Sequence, residues 1–346
     1  MKISPVLAGA AILAVLSSLS GCAIAQPRKD HFVDKPELRS FVSRMSQQHH
    51  FDRDRLYKLF RHARLQQSIL DAIARPAEAK PWFQYRPIFV NASRIRGGVA
   101  FWNRNASILR EVQRKYGVAP QIIVAILGVE TRYGSHTGRY RVLDSLSTLA
   151  FDYPPRSRFF RSELAQFLLL SRQEGFDPLT LKGSYAGAMG EPQFISSSYR
   201  RYAVDFDGDG KRDLWHSQKD IIASVANYFQ VHGWKPGEPV AVRAKVSGDQ
   251  ARQLADAGLK PKLTVAQLRR RGIRAQSSVP GDLPAALIEL ETRKGPEYWL
   301  GLNNFYVITR YNHSPLYAMA VFQLGEAIRS AREKAATADT AGASSG

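Results

Sequence analysis

Cysteine is almost absent from this chain: one residue, Cys22, in 346. A single thiol excludes an intrachain disulfide framework and any metal site built from several cysteines. Acidic residues are also scarce, 30 against 49 basic ones, which leaves a formal charge of +19. That excess points to an anionic partner. Nucleic acid, anionic lipid and an acidic cell-wall polymer all fit the charge, and so does plain solubility. The N-terminal apolar stretch, residues 6–19, is shorter than the roughly 20 residues that span a bilayer. No internal repeat is present. What the chain does have is 44% hydrophobic residues, over a length that allows two to three domains. That composition excludes a mostly disordered protein.

Lys2, the apolar stretch and the small residues after it have the make-up of an export signal. The signal ends in Leu19-Ser20-Gly21-Cys22, which resembles a bacterial lipobox. On that resemblance residues 1–21 are a lipoprotein signal peptide, and Cys22 carries acyl chains that anchor the protein stably. The alternative is cleavage after Ala25, with Cys22 incidental. Ala23 follows the cysteine where an Asp would retain the protein elsewhere, so the expected address is the periplasmic side of the outer membrane. Residues 1–21 contain one lysine and no acid, so their removal takes +19 to +18. Export separates the chain from nucleic acid, and neither an RNA-binding signature nor a helix–turn–helix pattern is present. The cell wall becomes the expected partner.

Apolar spacing predicts a mainly α-helical protein. Residues 22–35 are polar and read as a tether. Leu38, Phe41, Val42 and Met45 share a helical face, as do Leu56, Leu59, Phe60 and Ala63, and then Ile69, Leu70 and Ile73. Residues 80–90, with two prolines and four aromatics, read as an extended segment. Residues 91–115 read as one helix. Residues 120–131 are apolar all round, so that helix should be buried on most sides. Further helices are expected over 158–171, after Asp177-Pro178, and over 219–232. Alternation at 240–246 and 285–291 predicts strands. A short helical stretch at 249–257 and the basic run Arg269-Arg270-Arg271 lie between them. Ser314 and Pro315 open a last helix, with Met319, Phe322 and Ile328 inward. Residues 336–346 read as a disordered tail.

Glu130 closes the apolar run, which only Gly128 interrupts. A carboxyl there is partly desolvated, which raises its pKa and keeps it protonated near neutrality, as a general acid requires. The position also suits a glutamate paired with Arg132 at a helix end. The neighbouring residues weigh between these. Gly128-Val129-Glu130-Thr131-Arg132-Tyr133-Gly134 strongly resembles the catalytic motif of the lytic murein transglycosylase B family. Gly183-Ser184-Tyr185-Ala186-Gly187-Ala188-Met189-Gly190 with Gln193-Phe194 resembles its second motif. Asn304-Phe305-Tyr306, followed by Ile308-Thr309-Arg310-Tyr311-Asn312-His313-Ser314, resembles a third. The resemblance covers residues 80–332.

The resemblance implies a lysozyme-like catalytic core at 98–236 that resumes at 303–335. It also implies a helical N-terminal region at 36–97 and a small inserted β-containing domain at 237–302. The implied activity cleaves the β-1,4 bond between N-acetylmuramic acid and N-acetylglucosamine without water and leaves 1,6-anhydromuramic ends. Ordinary glycosidases use two carboxylates, but the motif offers only Glu130, and the next acid is Asp144. Under the family mechanism Glu130 is acid and then base. Family sugar-binding positions fall on Ser184, Met189, Gln193, Tyr311, Asn312 and Tyr317. Arg156 matches one of two adjacent arginines that contact the peptide stem, and Pro155 stands at the other position. The chain also departs from the family at Glu191-Pro192, where a large apolar or aromatic residue and glycine are usual, and at Ile195-Ser196-Ser197, where Met-Pro-Ser is usual. A non-catalytic peptidoglycan-binding lipoprotein of the same fold is the alternative reading, and the intact Glu130 motif favours the enzyme. A monomer is expected.

Asp205-Phe206-Asp207-Gly208-Asp209-Gly210 fits the start of an EF-hand calcium loop. Asp205, Asp207 and Asp209 would supply oxygens and Lys211 a backbone carbonyl. Position twelve is His216, which cannot close such a loop as glutamate does. The family closes a longer loop with a later aspartate, for which Asp220 is the candidate, and Asp213 could contribute through water. An acidic turn without metal is the alternative. Catalysis itself calls for no cofactor.

Overall fold

The computed structural model describes residues 31–74 and 80–343, with side chains through residue 337. The signal peptide, Cys22 and most of the expected tether lie outside the described residues. The chain forms two compact units. The first holds residues 31–74 and 134–216 and the second holds 80–133 and 217–343. In chain order the first unit supplies α1 (Pro36–His49), α2 (Arg53–Arg61) and α3 (Gln67–Ile73). The second unit supplies α4 (Trp82–Phe89), α5 (Ala92–Arg104), α6 (Ala106–Tyr116) and α7 (Pro120–Thr131). The first then takes β1 (Tyr140–Arg141), α8 (Val142–Asp152), α9 (Ser157–Glu174), β2 (Lys182–Gly183) and α10 (Ser196–Tyr202). The second is completed by α11 (Gln218–Val231), β3 (Ala241–Val246), α12 (Ala251–Asp256), β4 (Leu263–Thr264), α13 (Val265–Arg270), β5 (Ile273–Ala275), β6 (Pro284–Thr292), β7 (Gly295–Gly301), α14 (Asn303–Tyr311) and α15 (Pro315–Ala343).

In the first unit α1 buries Leu38, Phe41, Val42 and Met45, the stripe its spacing predicts. Phe41 and Phe60 meet edge to face at 5.9 Å, and Phe151 of α8 joins both at 6.0 and 6.3 Å. Phe32 completes this cluster and is fully buried. Lys35 pairs with Asp152 at 2.6 Å. Residues 31–35 are therefore docked, contrary to the tether expectation. Polar composition described the segment, but one aromatic ring is enough to seat it. Buried Asp144 of α8 accepts from the Arg64 N–H at 2.9 Å and pairs with Arg141 at 2.8 Å, which ties down the turn before α3. The helix expected after Asp177-Pro178 is instead a turn, because the Asp177 carboxylate accepts the Leu179 N–H at 2.9 Å.

In the second unit α7 is central. It packs against α5, α6, α11 and α15, and every residue from Ile122 to Thr131 is buried. The segment 80–90, expected to be extended, is largely the helix α4. Pro81 sits just before its first turn, and Trp82, Tyr85 and Phe89 form a buried helical stripe that outweighs Pro87. Residues 91–115 form two helices, not one. The break is Asn105, whose side chain donates to the Phe101 carbonyl at 3.0 Å. Residues 336–343 continue α15 where a disordered tail was expected, as their high alanine content favours. The sheet is five-stranded and antiparallel, in the order β4-β6-β7-β3-β5. Its core holds Leu268, Ile273, Leu287 and Leu300.

The units cut across the linear segments 36–97 and 98–236. Helices α1 to α3 group with α8, whereas α4 and α5 pack on α15. Which distant faces meet decides this, and linear patterning carries no such information.

Three glycines shape the end of α7. A Cβ on Gly128 would lie 2.6 Å from the Tyr133 hydroxyl, and Cβ atoms on Gly97 and Gly98 would lie 2.8 and 2.7 Å from the same side chain. The Tyr133 ring fills a slot that only glycine leaves open, stacked at 5.7 Å on Phe101. Mid-helix glycine is less favourable than alanine by roughly 1 kcal/mol, so the slot is the reason for Gly128. Gly128→Ala should destabilise the protein by about 1–3 kcal/mol through overpacking, measured by chemical denaturation. In a Tyr133→Ala background the same change should be nearly neutral or stabilising, and an equal loss in both backgrounds would refute the slot.

Candidate active site

Glu130 lies in the last turn of α7 and is 6% exposed. The helix ends abruptly just after it. Arg132, Tyr133 and Gly134 have φ of 50°, 59° and 85° in succession. Two non-glycine residues in this region store backbone strain, a feature that clusters at functional sites. The Tyr133 N–H donates back to the Leu127 carbonyl at 3.0 Å, and its hydroxyl donates to the Arg94 carbonyl at 2.7 Å. The turn is held by packing and hydrogen bonds together.

The Tyr317 hydroxyl, 2% exposed on α15, donates to Glu130 Oε1 at 2.5 Å. Burial raises the Glu130 carboxyl from its ordinary 4.5 to about 8, while the Tyr317 hydrogen bond and the Arg94 charge pull it down. At neutral pH this carboxyl holds a proton and can donate it. The groups that shift it are a phenol and a guanidinium, and neither is a second carboxylate. The phenols of Tyr311 and Tyr317 are pushed well above their ordinary value by burial, with the Glu130 charge adding to the effect. The Tyr311 ring lies 4.8 Å from Tyr228, whose hydroxyl donates to the Arg310 carbonyl at 2.6 Å. Buried Asn312 accepts the Ser314 N–H at 3.0 Å and so starts α15 at a fixed angle. The second unit thus brings together Glu130, Tyr311 and Tyr317, and Asn312 follows Tyr311 in the chain.

Ser184, Met189 and Gln193 share one loop of the first unit. The Ser184 Oγ accepts from the Ala186 and Ala188 N–H groups at 3.3 and 3.0 Å. Met189 and Phe194 exchange backbone hydrogen bonds at 2.8 and 3.0 Å. Gln193 has φ of 52°, and its amide donates to the Thr137 and Gly190 carbonyls at 3.1 and 3.0 Å. A Cβ on Gly190 would lie 2.5 Å from the Leu214 carbonyl oxygen, so the chain passes there only as glycine. Met189 has no exposed surface. It supports the loop from within, which corrects the expectation that it faces a ligand. Glu191, the departure beside Gln193, is buried, and a Cβ on Gly134 would lie 2.6 Å from its carboxylate.

Arg156 borders an open groove of about 530 Å³ together with Arg158 and Phe159. Its guanidinium lies 4.4 Å from the Phe159 ring centre, and it is within electrostatic reach of Tyr185. Arg158 is a second cation in the groove that matching at position 155 did not reveal. The acidic loop gathers the Asp205, Asp207 and Asp209 carboxylates within 4.8 Å of one another, all exposed. The Gly208 and Gly210 N–H groups donate to Asp205 at 2.7 and 2.9 Å. A set of hard oxygens at this spacing suits a divalent cation such as calcium. Asp213 caps its own turn by accepting the Trp215 and His216 N–H groups at 2.8 and 3.0 Å. Asp220 is fully buried near the start of α11, in the second unit.

Residues 33–326 match the transglycosylase SLT domain. The chain belongs to this transglycosylase family. It is 45% identical over 311 residues to the membrane-bound lytic murein transglycosylase B of Escherichia coli, covering 87% of this chain and 85% of that protein. The soluble lytic transglycosylase SltB1 of Pseudomonas aeruginosa is 52% identical, with a TM-score of 0.82 over 86% of this chain and 100% of that one. The lytic transglycosylase Slt35 of Escherichia coli, solved in complex with calcium, is 44% identical, with a TM-score of 0.80 over 88% of this chain and 96% of that one. The mainly α architecture with its small sheet is therefore the lysozyme-like fold of the SLT family.

In this transglycosylase the buried carboxyl carries a cost in stability. An unfolded Glu130 loses its proton near 4.5, whereas the native one keeps it to about 8. Between those values the native state binds more protons, so native stability falls as pH rises. Glu130→Gln removes the titration and keeps the shape. The variant should melt above the wild type by a margin that widens from pH 5 to pH 8, measured by differential scanning calorimetry. A margin that stays flat over this window would mean that the native carboxyl is not held neutral.

Proposed function

We propose that this enzyme cleaves the β-1,4 bond between N-acetylmuramic acid and N-acetylglucosamine in peptidoglycan, with Glu130 as the single acid and base. One observation carries the reading: a buried carboxyl, neutral at pH 7, that accepts from the Tyr317 hydroxyl and is shifted by no second carboxylate. Glu130 first gives its proton to the leaving glycosidic oxygen. The carbonyl oxygen of the substrate's own N-acetyl group bonds to C1 as the C1–O bond breaks, forming an oxazolinium. Glu130, now a carboxylate, takes the proton of the muramic C6 hydroxyl. That oxygen bonds to C1, the oxazolinium opens, and a 1,6-anhydro end results with no water consumed. Exclusion of water follows from the same burial that neutralises the acid.

Ser184, Gln193, Tyr311, Asn312 and Tyr317 are the proposed sugar contacts. Ser184 uses its oxygen as an acceptor twice within the loop, which leaves its hydroxyl proton to donate. Arg156, together with Arg158, is proposed to meet the carboxylates of the peptide stem. Lipidation at Cys22 and placement at the outer membrane are proposed from the signal sequence. Among the described residues no helix is long and apolar enough to cross a membrane. The relative in Escherichia coli is described as membrane-bound. A monomer is proposed.

Digestion of purified murein tests the reaction. The wild type should release fragments with anhydro ends by mass spectrometry, and Glu130→Gln, although folded, should release none. Reducing ends would mean hydrolysis, and activity in the folded variant would remove Glu130 from the mechanism.

We further propose that calcium is held by Asp205, Asp207, Asp209 and the Lys211 carbonyl. The calcium complex of Slt35 and the hard-oxygen donor set support this. The loop continues into Trp215, which packs at 5.8 and 5.9 Å on Phe176 and Tyr199. A bound ion would therefore stabilise the first unit and take no part in the chemistry. Millimolar calcium should raise the melting temperature of the wild type by several degrees and leave Asp207→Asn unchanged. Identical melting with calcium and with chelator would argue against the site.

A further inference from the structure

Arg94 belongs to none of the sequence motifs, yet it is only 4% exposed inside the second unit. It sits in the first turn of α5, where its N–H donates to the cap residue Asn91 at 3.1 Å. Its guanidinium is fixed to the backbone. Nε donates to the Ile88 carbonyl at 3.2 Å, and Nη1 donates to the carbonyl of Gly128, two residues before Glu130. Its own carbonyl accepts the hydroxyl of Tyr133, three residues after Glu130. Arg94 is thus bonded to the chain on both sides of Glu130. Its Nη2 is buried with no hydrogen-bond partner among the described residues. No direct ion pair joins it to Glu130.

A buried guanidinium with an unpaired arm is costly, and an apolar side chain of similar volume would join α5 to α7 more cheaply. The cost has a reason in the chemistry. A carboxyl that is only desolvated holds its proton too firmly to give it up. A residue that must act as acid and then as base needs both forms within reach. Tyr317 steadies the carboxylate with a neutral hydrogen bond, and Arg94 adds a full charge. Their fields are mutual: Arg94 lowers Glu130, and Glu130 raises Arg94, which burial and Arg132 hold at about 10. Arg94 therefore stays charged at neutral pH.

We propose that Arg94 is a positioning residue for the reaction, the buried counter-charge that lets Glu130 exist as a carboxylate in the second half-step. The proposal rests on the reading of Glu130 as acid and base. Because the charge acts through space and not through an ion pair, it stabilises the carboxylate without locking Glu130 in that form. The elements packed around α7 bring these further groups. Helices α15 and α14 bring Tyr317 and Tyr311. Helix α11 brings buried Asp220 and Tyr228, and α6 brings buried Tyr116, its charged side chains being exposed. Arg132 follows α7 itself. Among these groups Arg94 is the cation that lowers Glu130.

Arg94→Lys keeps the charge with a single donor group, and Arg94→Gln keeps an N–H donor without the charge. Each is checked for cooperative unfolding and assayed on soluble glycan strands from pH 5 to pH 9. In Arg94→Gln the alkaline limb of kcat/KM should move up by about one pH unit, and kcat at pH 7 should fall roughly ten- to a hundredfold with KM changed by less than about threefold. Arg94→Lys should keep the wild-type limb. An unmoved limb in a folded Arg94→Gln overturns the proposal, as does a limb displaced equally in both variants. Arg94→Met replaces Arg94→Gln if the latter does not fold. If neither uncharged variant folds, the residue is structural and the proposal fails. Activity in Glu130→Gln would instead overturn the reading of Glu130, whatever the Arg94 variants do.

Discussion

Taking a carboxyl group out of water is unfavourable for its charged form, and the second unit is arranged around one carboxyl in that condition. Glu130 remains neutral at pH 7 because α7 is enclosed by four helices. Enclosure on all sides demands a helix with no polar face, which is why residues 122–129 contain no charged or hydrogen-bonding side chain. It also demands that the helix stop at once after the glutamate, before Arg132 would have to enter the core. The left-handed turn at Arg132 and Tyr133 achieves that stop. The glycine slot and the Arg94 carbonyl hold Tyr133 in place, so the strain is locked in by packing.

The two units differ in the chemistry of their polar side chains. The second holds the groups with shifted protonation: Glu130, the phenols above their ordinary range, and the buried guanidinium. The first holds a loop whose polar side chains are pinned by hydrogen bonds to backbone groups. Ser184 and Gln193 both bond to their own loop. A pre-set loop avoids the entropy of ordering side chains on binding. The net charge of +19 suits adsorption to an anionic envelope surface.

Legibility followed the range of the interaction. Glu130, Ser184, Gln193, Tyr311 and Asn312 lie in contiguous runs whose spacing is set by one helix end or one tight loop, so they were visible as motifs. The amphipathic stripes of α1 and α2 were equally visible. Segment 80–90 reads as extended because prolines 81 and 87 weigh against a helix locally, while the gain from burying Trp82, Tyr85 and Phe89 comes from partners far along the chain. Phe32 was hidden in polar surroundings for the same reason. Met189 sits inside a motif, yet its neighbours and not its spacing decide that it is fully buried. Arg94 had no signal at all: an arginine in an amphipathic helix reads as solvated until the carbonyl of Gly128 is seen to be its partner.

The sequence alone determined the class of fold, carried the export signal and singled out Glu130 as the candidate acid. These depend on short-range periodicity, a terminal signal and contiguous motifs. Only the tertiary structure decided how far Glu130 is desolvated, that Tyr317 answers it, and that Arg94 stands behind it. Each of those depends on the field and packing of residues distant in sequence, and dielectric environment is a property of the assembled interior, not of any stretch of chain.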